Sequence, residues 1–588
     1  MNKHLLRLVV LSLLLSACSL SEDQKSPVGA PTGATPSSVG DVREQEEAGA
    51  AKVAPAGAPV QRSIAGAAMQ ERAMLAPAPP CCFPIYSPGD RENYEHYTEN
   101  PVKLASEQPV STFSIDVDTG SYANVRRFLN TGSLPPEDAV RVEELINYFG
   151  YDYPVPSSPD RPFSVTTTLA PAPWNKEKVL LQVGLKGYEI RAERRAPANL
   201  VFLIDVSGSM QDPNKLPLLK SAFRLLTRQM QASDRIALVV YAGAAGAVLA
   251  PTPGNEQATI SAALDQLEAG GSTNGVGGIR LAYDFARQSF IKGGINRIVL
   301  ATDGDFNVGI TDFDALIDMV EGEREGGVAL TTLGVGTGNY NDELLERLAD
   351  AGNGNYAYID TLNEARKVLL EQLSGTLQTI AKDVKIQVEF NPAAVAEYRL
   401  IGYENRILRR EDFNNDRVDA GDIGAGHTVT ALYELTLNDS PARLIDPLRY
   451  GKAQQHASET GADAELANVR LRYKAPDGST SRLIEQTVRR ADIRALADLP
   501  GSQSRDLRFA AAVAAFGQKL RGGEYLADFD YADIAQLAAG ARGDDPSGYR
   551  SEFLSLVKLA DSLAPDVARP AKVPEAGDGQ ALRPQVRG

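Results

Sequence analysis

The sequence predicts an α/β protein: a doubly wound, mainly parallel sheet inserted into a β-sandwich-like domain, with a helical region at the C-terminal end. Three observations carry this expectation. Across residues 197–375, apolar runs of strand length alternate with helical patterns, as a parallel sheet with crossover helices requires. Strand-like runs lie before residue 190 and return after residue 383. Over residues 505–564, the stretches FAAAVAAFGQKL, YADIAQLAAGA and YRSEFLSLVKLADSL follow the helical period.

The chain opens with MNKHLLRLVVLSLLLSACS, a basic start, an apolar run over residues 5–15 and small residues before Cys18. This is the pattern of a secretory signal, and the run is too short to cross a bilayer as a stable helix. Leu-Ser-Ala-Cys, ending at Cys18, resembles the lipobox of bacterial lipoproteins. The resemblance implies a signal over residues 1–18, cleavage before Cys18, and acylation of its thiol and new amino terminus. It also implies, from Ser19, an outer-membrane destination in a Gram-negative envelope, facing the periplasm or the surface. An uncleaved anchor, or an ordinary signal with a chance cysteine, is the competing reading.

Residues 19–88 are rich in Ala, Pro, Gly, Ser and Gln and hold almost no aromatic residue before Phe83. Too little apolar surface is available there to offset the entropy of folding, so the segment reads as a disordered tether. Its root-mean-square reach is on the order of 45 Å. Free thiols or a strained vicinal pair are preferred for Cys81 and Cys82 over a bridge to another chain.

Residues 94–160 form a region of their own. STFSIDVDTGSYANVRRFLNTG predicts a short strand and a helix, and AVRVEELINYFGYDYP a second helix with Val142, Leu145, Ile146 and Phe149 on one face. Asp116, Asp118 and Ser121 look like a metal loop. With no companion ligands following, Asp118 or Ser121 is instead expected to cap the helix. Residues 162–190 supply the strands FSVTTTLA and KVLLQVGL, with the single Trp174 between them. So few strands make no independent sheet. They are expected to pair with DVKIQVEF, HTVTALYELTL and the hairpin NVRLRYKAPDGSTSRLIEQTV, all within residues 383–490. In EDFNNDRVDAGD, Asp412, Asn414 and Asp416 imitate a calcium loop, but Arg417 and Ile423 stand where glycine and glutamate are needed, so a solvated turn is expected. Arg542-Gly543-Asp544 reads as a turn between helices, and residues 565–588 as a disordered tail.

The chemistry lies in NLVFLIDVSGSM, residues 199–210. Five apolar residues form a strand buried on both faces, and Asp205, Ser207 and Ser209 then place three oxygen ligands at alternate positions, with Gly208 easing the turn. Thr273, in GGSTNG, and Asp303, in TDGD after the strand over residues 298–301, offer further oxygens. Loops at the carboxyl ends of parallel strands converge on one edge, so these residues can meet. Oxygen ligands with open positions suit Mg²⁺. Asp205-x-Ser207-x-Ser209, Thr273 and Asp303 together resemble the metal-ion-dependent adhesion site of von Willebrand factor type A (VWA) domains, over residues 197–375. The resemblance implies that both serines and the threonine touch Mg²⁺ (or Mn²⁺ or Ca²⁺), that the aspartates act through water, and that an Asp or Glu carboxylate of a partner protein fills the open position. Residues 94–160 in turn resemble the amino-terminal region beside such a domain in a family of bacterial lipoproteins. Asp212 and Pro213 signal the start of the helix after the metal loop, with Leu216, Leu219, Phe223 and Leu226 on its buried face. Asp305 is read equally as a second-sphere group and as a helix cap.

A net charge of −16 argues against nucleic acid as a partner, and four dispersed histidines argue against a histidine-rich zinc site. The expected function is a non-enzymatic envelope lipoprotein that binds a partner protein through the metal. The alternative is a metal-dependent hydrolase using Asp205, Asp303 or Asp305. Against it, the sequence has no paired histidine base, no Gly-x-Ser-x-Gly elbow and no phosphate loop followed by Lys.

Overall fold

The computed structural model describes residues 92–565 apart from 191–193, 273–274, 305–312, 373–374, 376, 447–460 and 462. Cys18, the tether with Cys81 and Cys82, Thr273, Asp305 and the tail lie outside the described residues. Before the alternating region come β1 (Lys103–Leu104), β2 (Val110–Ser114), α1 (Gly120–Asn130), α2 (Val142–Asn147), β3 (Phe163–Ala172) and β4 (Asn175–Gly187). The alternating region runs β5 (Ala198–Asp205), α3 (Leu216–Thr227), β6 (Arg235–Tyr241), β7 (Ala245–Pro253), α4 (Gln257–Asp265) and α5 (Gly275–Gln288). It continues with β8 (Ile295–Thr302), α6 (Phe313–Arg324), β9 (Ala329–Val335), α7 (Asp342–Ala351), β10 (Tyr356–Ile359) and α8 (Leu362–Arg366). After it come β11 (Thr379–Phe390), β12 (Val395–Ile401), β13 (Ile423–Gly424), β14 (Thr428–Leu437), β15 (Glu465–Lys474) and β16 (Ser481–Arg489). Three helices follow, α9 (Gly501–Leu520), α10 (Tyr531–Ala539) and α11 (Tyr549–Leu563). Among the described residues no helix is long and apolar enough to cross a membrane.

The alternating region forms one sheet in the order β10-β9-β8-β5-β6-β7, parallel except for the antiparallel edge strand β7. Helices cover both faces, which is why β5 is buried at every position. The flanking strands make two further sheets, β1-β12-β14-β4-β3 and β13-β11-β15-β16, with β2 also on β11. β4, before the inserted domain, pairs with β14, after it, from Lys186↔Thr428 to Val179↔Leu435. One apolar core lies between these two sheets, including Leu181, Val183, Ile386, Val388, Val469 and Leu471. A second lies on the outer face of the β4 sheet, where α1 and α2 meet α9 and α11. Phe149, just beyond α2, sits edge-on to Phe509 and Phe553 at centroid distances of 4.8 and 5.7 Å.

Two local expectations are corrected. Neither Asp118 nor Ser121 caps α1: Thr119 holds that position without a side-chain bond. Asp118 accepts from the Tyr356 N–H at 2.8 Å, and the Ser121 hydroxyl donates to the Ala139 carbonyl at 2.7 Å. Nor do Asp116's companions stay away, since carboxylate oxygens of Asp116, Glu144 and Glu346 lie within 4.8 Å of one another, all buried. Three distant segments supply them, so no local spacing reveals the cluster. Its charge is compensated by two arginines. Arg141 pairs with Glu144, with Asp342 at 2.6 Å and with Glu346 at 3.3 Å; Arg406 pairs with Asp350, with Asp116 at 3.1 Å and with Asp118 at 3.4 Å. The second correction concerns α3, which begins at Leu216 with Lys215 at the cap and Pro217 in its first turn, because a 3₁₀ turn over residues 208–211, which takes in Ser209, delays the helix past Asp212 and Pro213.

These buried pairs join the amino-terminal region, the inserted domain and the sandwich. Breaking one by removing a single partner strands charge in a poorly solvated place. Arg141→Met is therefore expected to lower the unfolding free energy by about 3–5 kcal/mol in urea titrations, whereas a loss below about 1 kcal/mol would reduce the pair to a surface ion pair's contribution. A pH test comes from Glu143, whose carboxylate accepts from the Tyr403 N–H at 2.9 Å. Burial first, then the charges of Glu404 and Asp116, push it up to about 8 from 4.5. The folded chain thus holds a proton that the unfolded chain releases, and stability is lost as pH rises from 4.5 towards 8. Glu143→Gln removes that loss, so its melting temperature should match the wild type below pH 4.5 and exceed it progressively up to pH 8.

Candidate metal site

β5 is the strand at which the order of the parallel sheet reverses: the chain passes from β5 to β6 on one side and later returns to β8 on the other. A crevice opens at the carboxyl edge of such a switch point. Asp205 is the last residue of β5 and Asp303 the first after β8, so the topology delivers both carboxylates to that crevice. Both are fully buried, Ser207 nearly so and Ser209 half-buried, beneath a rim of exposed residues that includes Gly208, Gln211, Gly243 and Ser272.

Asp205 is held at both oxygens. Its Oδ1 accepts from the Ser207 N–H at 2.8 Å and its Oδ2 from the Thr302 hydroxyl at 2.9 Å. The Ser207 and Ser209 hydroxyls are 3.1 Å apart. Adjacent ligands of an octahedral Mg²⁺ at 2.0–2.1 Å are separated by about 3 Å, so the two hydroxyls are spaced to share one ion. The loop is braced by Gly208 N–H donating to the Gly271 carbonyl at 3.1 Å and Gly270 N–H donating to the Val206 carbonyl at 2.7 Å. Gly271, at φ +90°, takes the conformation that needs glycine. These bonds bring Gly270 and Gly271 against the loop of Asp205, and Thr273 lies outside the described residues.

Burial pushes the Asp205 carboxyl up to about 6, and the neighbouring Asp303 pushes it the same way, against hydrogen bonds from Ser207 and Thr302. Two buried carboxylates beside paired hydroxyls form a hard, oxygen-only donor set, and a divalent cation would offset their repulsion. The residues present therefore fit Mg²⁺, Mn²⁺ or Ca²⁺.

Two contributors escaped the sequence reading. The Lys215 ammonium donates to Asp303 Oδ2 at 3.0 Å and to Asn339 Oδ1 at 3.0 Å, while Asn339 Nδ2 donates to the same Asp303 oxygen at 3.1 Å. Lys215 follows the metal loop closely enough to have been considered. Asn339 comes from the loop after β9 and carried no local signal.

Residues 200–305 match the family model described as von Willebrand factor type A domain. Residues 88–182 match one described as von Willebrand factor, and residues 375–563 one described as uncharacterized protein YfbK, C-terminal. Over 485 residues the chain is 52% identical to uncharacterized protein YfbK of Escherichia coli (strain K12), covering 82% of each. The chain belongs to the YfbK family. It carries a VWA domain. Inter-alpha-trypsin inhibitor heavy chain H3 of Homo sapiens is 23% identical over 349 residues, 52% of this chain and 38% of that one. A solved structure, von Willebrand factor type A from Catenulispora acidiphila, is 17% identical with a TM-score of 0.38, over 65% of this chain and 87% of that one.

The Lys215 contact yields a stability prediction. With a buried ammonium removed from a buried carboxylate, Lys215→Met should lose about 3 kcal/mol in urea unfolding with EDTA present. Added Mg²⁺ should restore part of the loss, by supplying positive charge beside Asp303.

Proposed function

We propose that this YfbK-family chain is a non-enzymatic envelope lipoprotein that captures an acidic side chain of a partner protein through a divalent cation, in adhesion or envelope assembly. The observation that carries the reading is the pair of hydroxyls 3.1 Å apart beside buried Asp205 and Asp303, at the switch point of a VWA sheet. Ser207, Ser209 and Thr273 would hold the cation, with Asp205 and Asp303 placed to balance its charge. When bound, the cation supplies a positive, exchangeable coordination position for a carboxylate. A chain of net charge −16 repels an acidic partner at long range, so attraction depends on the cation at short range. Acylation at Cys18 would fix the chain to the membrane, with residues 19–88 as the tether.

His427 lines a small cavity with Arg297, near the opposite end of β8 from Asp303, so it is not placed to serve as a general base at that edge, which favours binding over hydrolysis.

Calorimetric titration of Mg²⁺ and Mn²⁺ tests the reading. At one hundred times its dissociation constant, Mg²⁺ should stabilise the wild type by about 2.7 kcal/mol and leave Asp205→Asn unchanged. In EDTA at neutral pH, Asp205→Asn should be at least as stable as the wild type, because a carboxyl raised to about 6 by burial penalises the folded state above that pH. Partner proteins should be retained from envelope extracts with Mg²⁺, be released by EDTA, and be absent with Asp205→Asn. Absence of metal binding by the wild type contradicts the reading.

A further inference from the structure

The segment that leads into the first strand reaches the metal edge by a separate route. Asn93 forms a parallel bridge with Asn341, in the loop between β9 and α7. Its N–H donates to the Tyr340 carbonyl at 2.9 Å, and its carbonyl accepts from the Asp342 N–H at 3.0 Å. Glu92 Oε1 accepts from the Gly338 N–H at 2.9 Å, and Asn93 Nδ2 donates to Glu343 Oε2 at 2.7 Å. The Tyr94 ring lies 6.4 Å from that of Tyr340. On its other side the segment is fastened to α1. The Arg127 guanidinium donates to both Glu92 oxygens, at 2.7 and 3.0 Å, and to the Tyr94 hydroxyl at 3.0 Å.

The loop held in this way is the one that carries Asn339, and it has reason to need holding. Gly336 and Gly338 both sit at positive φ, +81° and +88°, so ordering the loop removes unusually broad backbone freedom. A Cβ on Gly304, the residue after Asp303, would lie 2.8 Å from the Asn341 nitrogen, so the loop packs directly against the metal edge. A continuous path thus runs from Arg127 through Glu92 to Gly338, and from the adjacent Asn339 to Asp303. Tyr94 is the segment's large apolar contact and Asn93 is exposed, so displacing the segment opens none of the main cores; its cost lies in the buried ion pair of Glu92 with Arg127.

We infer that residues 92–94 are an intramolecular latch that sets the cation affinity of the VWA domain. With the latch seated, the β9–α7 loop is ordered in advance, and Asn339 and Lys215 hold Asp303 where the cation needs it. With the latch released, binding must order the loop itself, and affinity falls. By linkage the effect is reciprocal: a bound cation strengthens the seating of the segment. This rests on the metal reading above and adds its regulation, by whatever displaces the segment through which the chain enters the fold.

The test is Mg²⁺ titration of the full chain, comparing the wild type, the double variant Glu92→Ala/Asn93→Pro, Asn339→Ala and the three changes combined. Asn93→Pro removes the N–H that reaches Tyr340. The double variant should bind Mg²⁺ roughly three- to tenfold more weakly, and the combined variant no more weakly than Asn339→Ala alone, because both act through one path. Hydrogen exchange should show Mg²⁺ slowing the amides of Gly338 and Asp342 in the wild type and not in Asp205→Asn. If the double variant fails to fold, Glu92→Gln, which keeps the shape of the side chain, replaces it with a smaller expected loss. Wild-type affinity in the folded latch variants, or effects that simply add, overturns the latch and leaves the metal reading standing. Failure of the wild type to bind Mg²⁺ overturns both.

Discussion

Everything in this chain depends on the antiparallel pairing of β4 with β14. Residues 179–186 meet residues 428–435 across the whole inserted domain. Before that pairing forms, β3 and β4 make a lone hairpin, too small to persist in water. After it forms, the two ends of the VWA domain are clamped at the edge of a sandwich whose core draws on both halves of the chain. The entropy of closing so long a connection grows only slowly with length, and it falls further if the inserted domain folds first and shortens the span.

The inserted domain is also held by charge. Arg126 reaches from α1 to Asp360 and Glu364 at the end of the VWA domain and to Glu552 on α11. Arg141 and Arg406 gather carboxylates from the amino-terminal region and from α7. Buried ion pairs contribute little net stability against an apolar alternative, but each is costly to break on one side only. Their effect is to favour one docking of the domain in its frame. The loops at the carboxyl edge of β5 and β8 are then presented in a constant position relative to the rest of the fold.

At the metal edge, local and non-local contributions divide clearly. The closeness of Asp205, Ser207 and Ser209 was legible because they lie within one turn after an apolar strand, with their oxygens at alternate positions. Asp303 was legible because parallel topology sends the ends of β5 and β8 to one crevice. Asn339 and Glu92 were not, since their contribution depends on loops that meet only after the sheet and α1 are in place. The same reason explains the misreading of Asp118 and Ser121. As a local pattern they suit a helix cap, but Tyr356 and Ala139, brought from elsewhere, take their hydrogen-bonding groups instead.

The sequence by itself determined the fold class, the alternation of strands and helices in the VWA domain, and the oxygen-rich loop at its centre, because each is written in a period or spacing of a few residues. Tertiary structure alone decided which arginines neutralise the buried carboxylates, how Lys215 and Asn339 hold Asp303, and that residues 92–94 lie against the β9–α7 loop. Those contacts join residues far apart in the chain. Their strength comes from burial, and burial is a property of the packed molecule rather than of any local stretch.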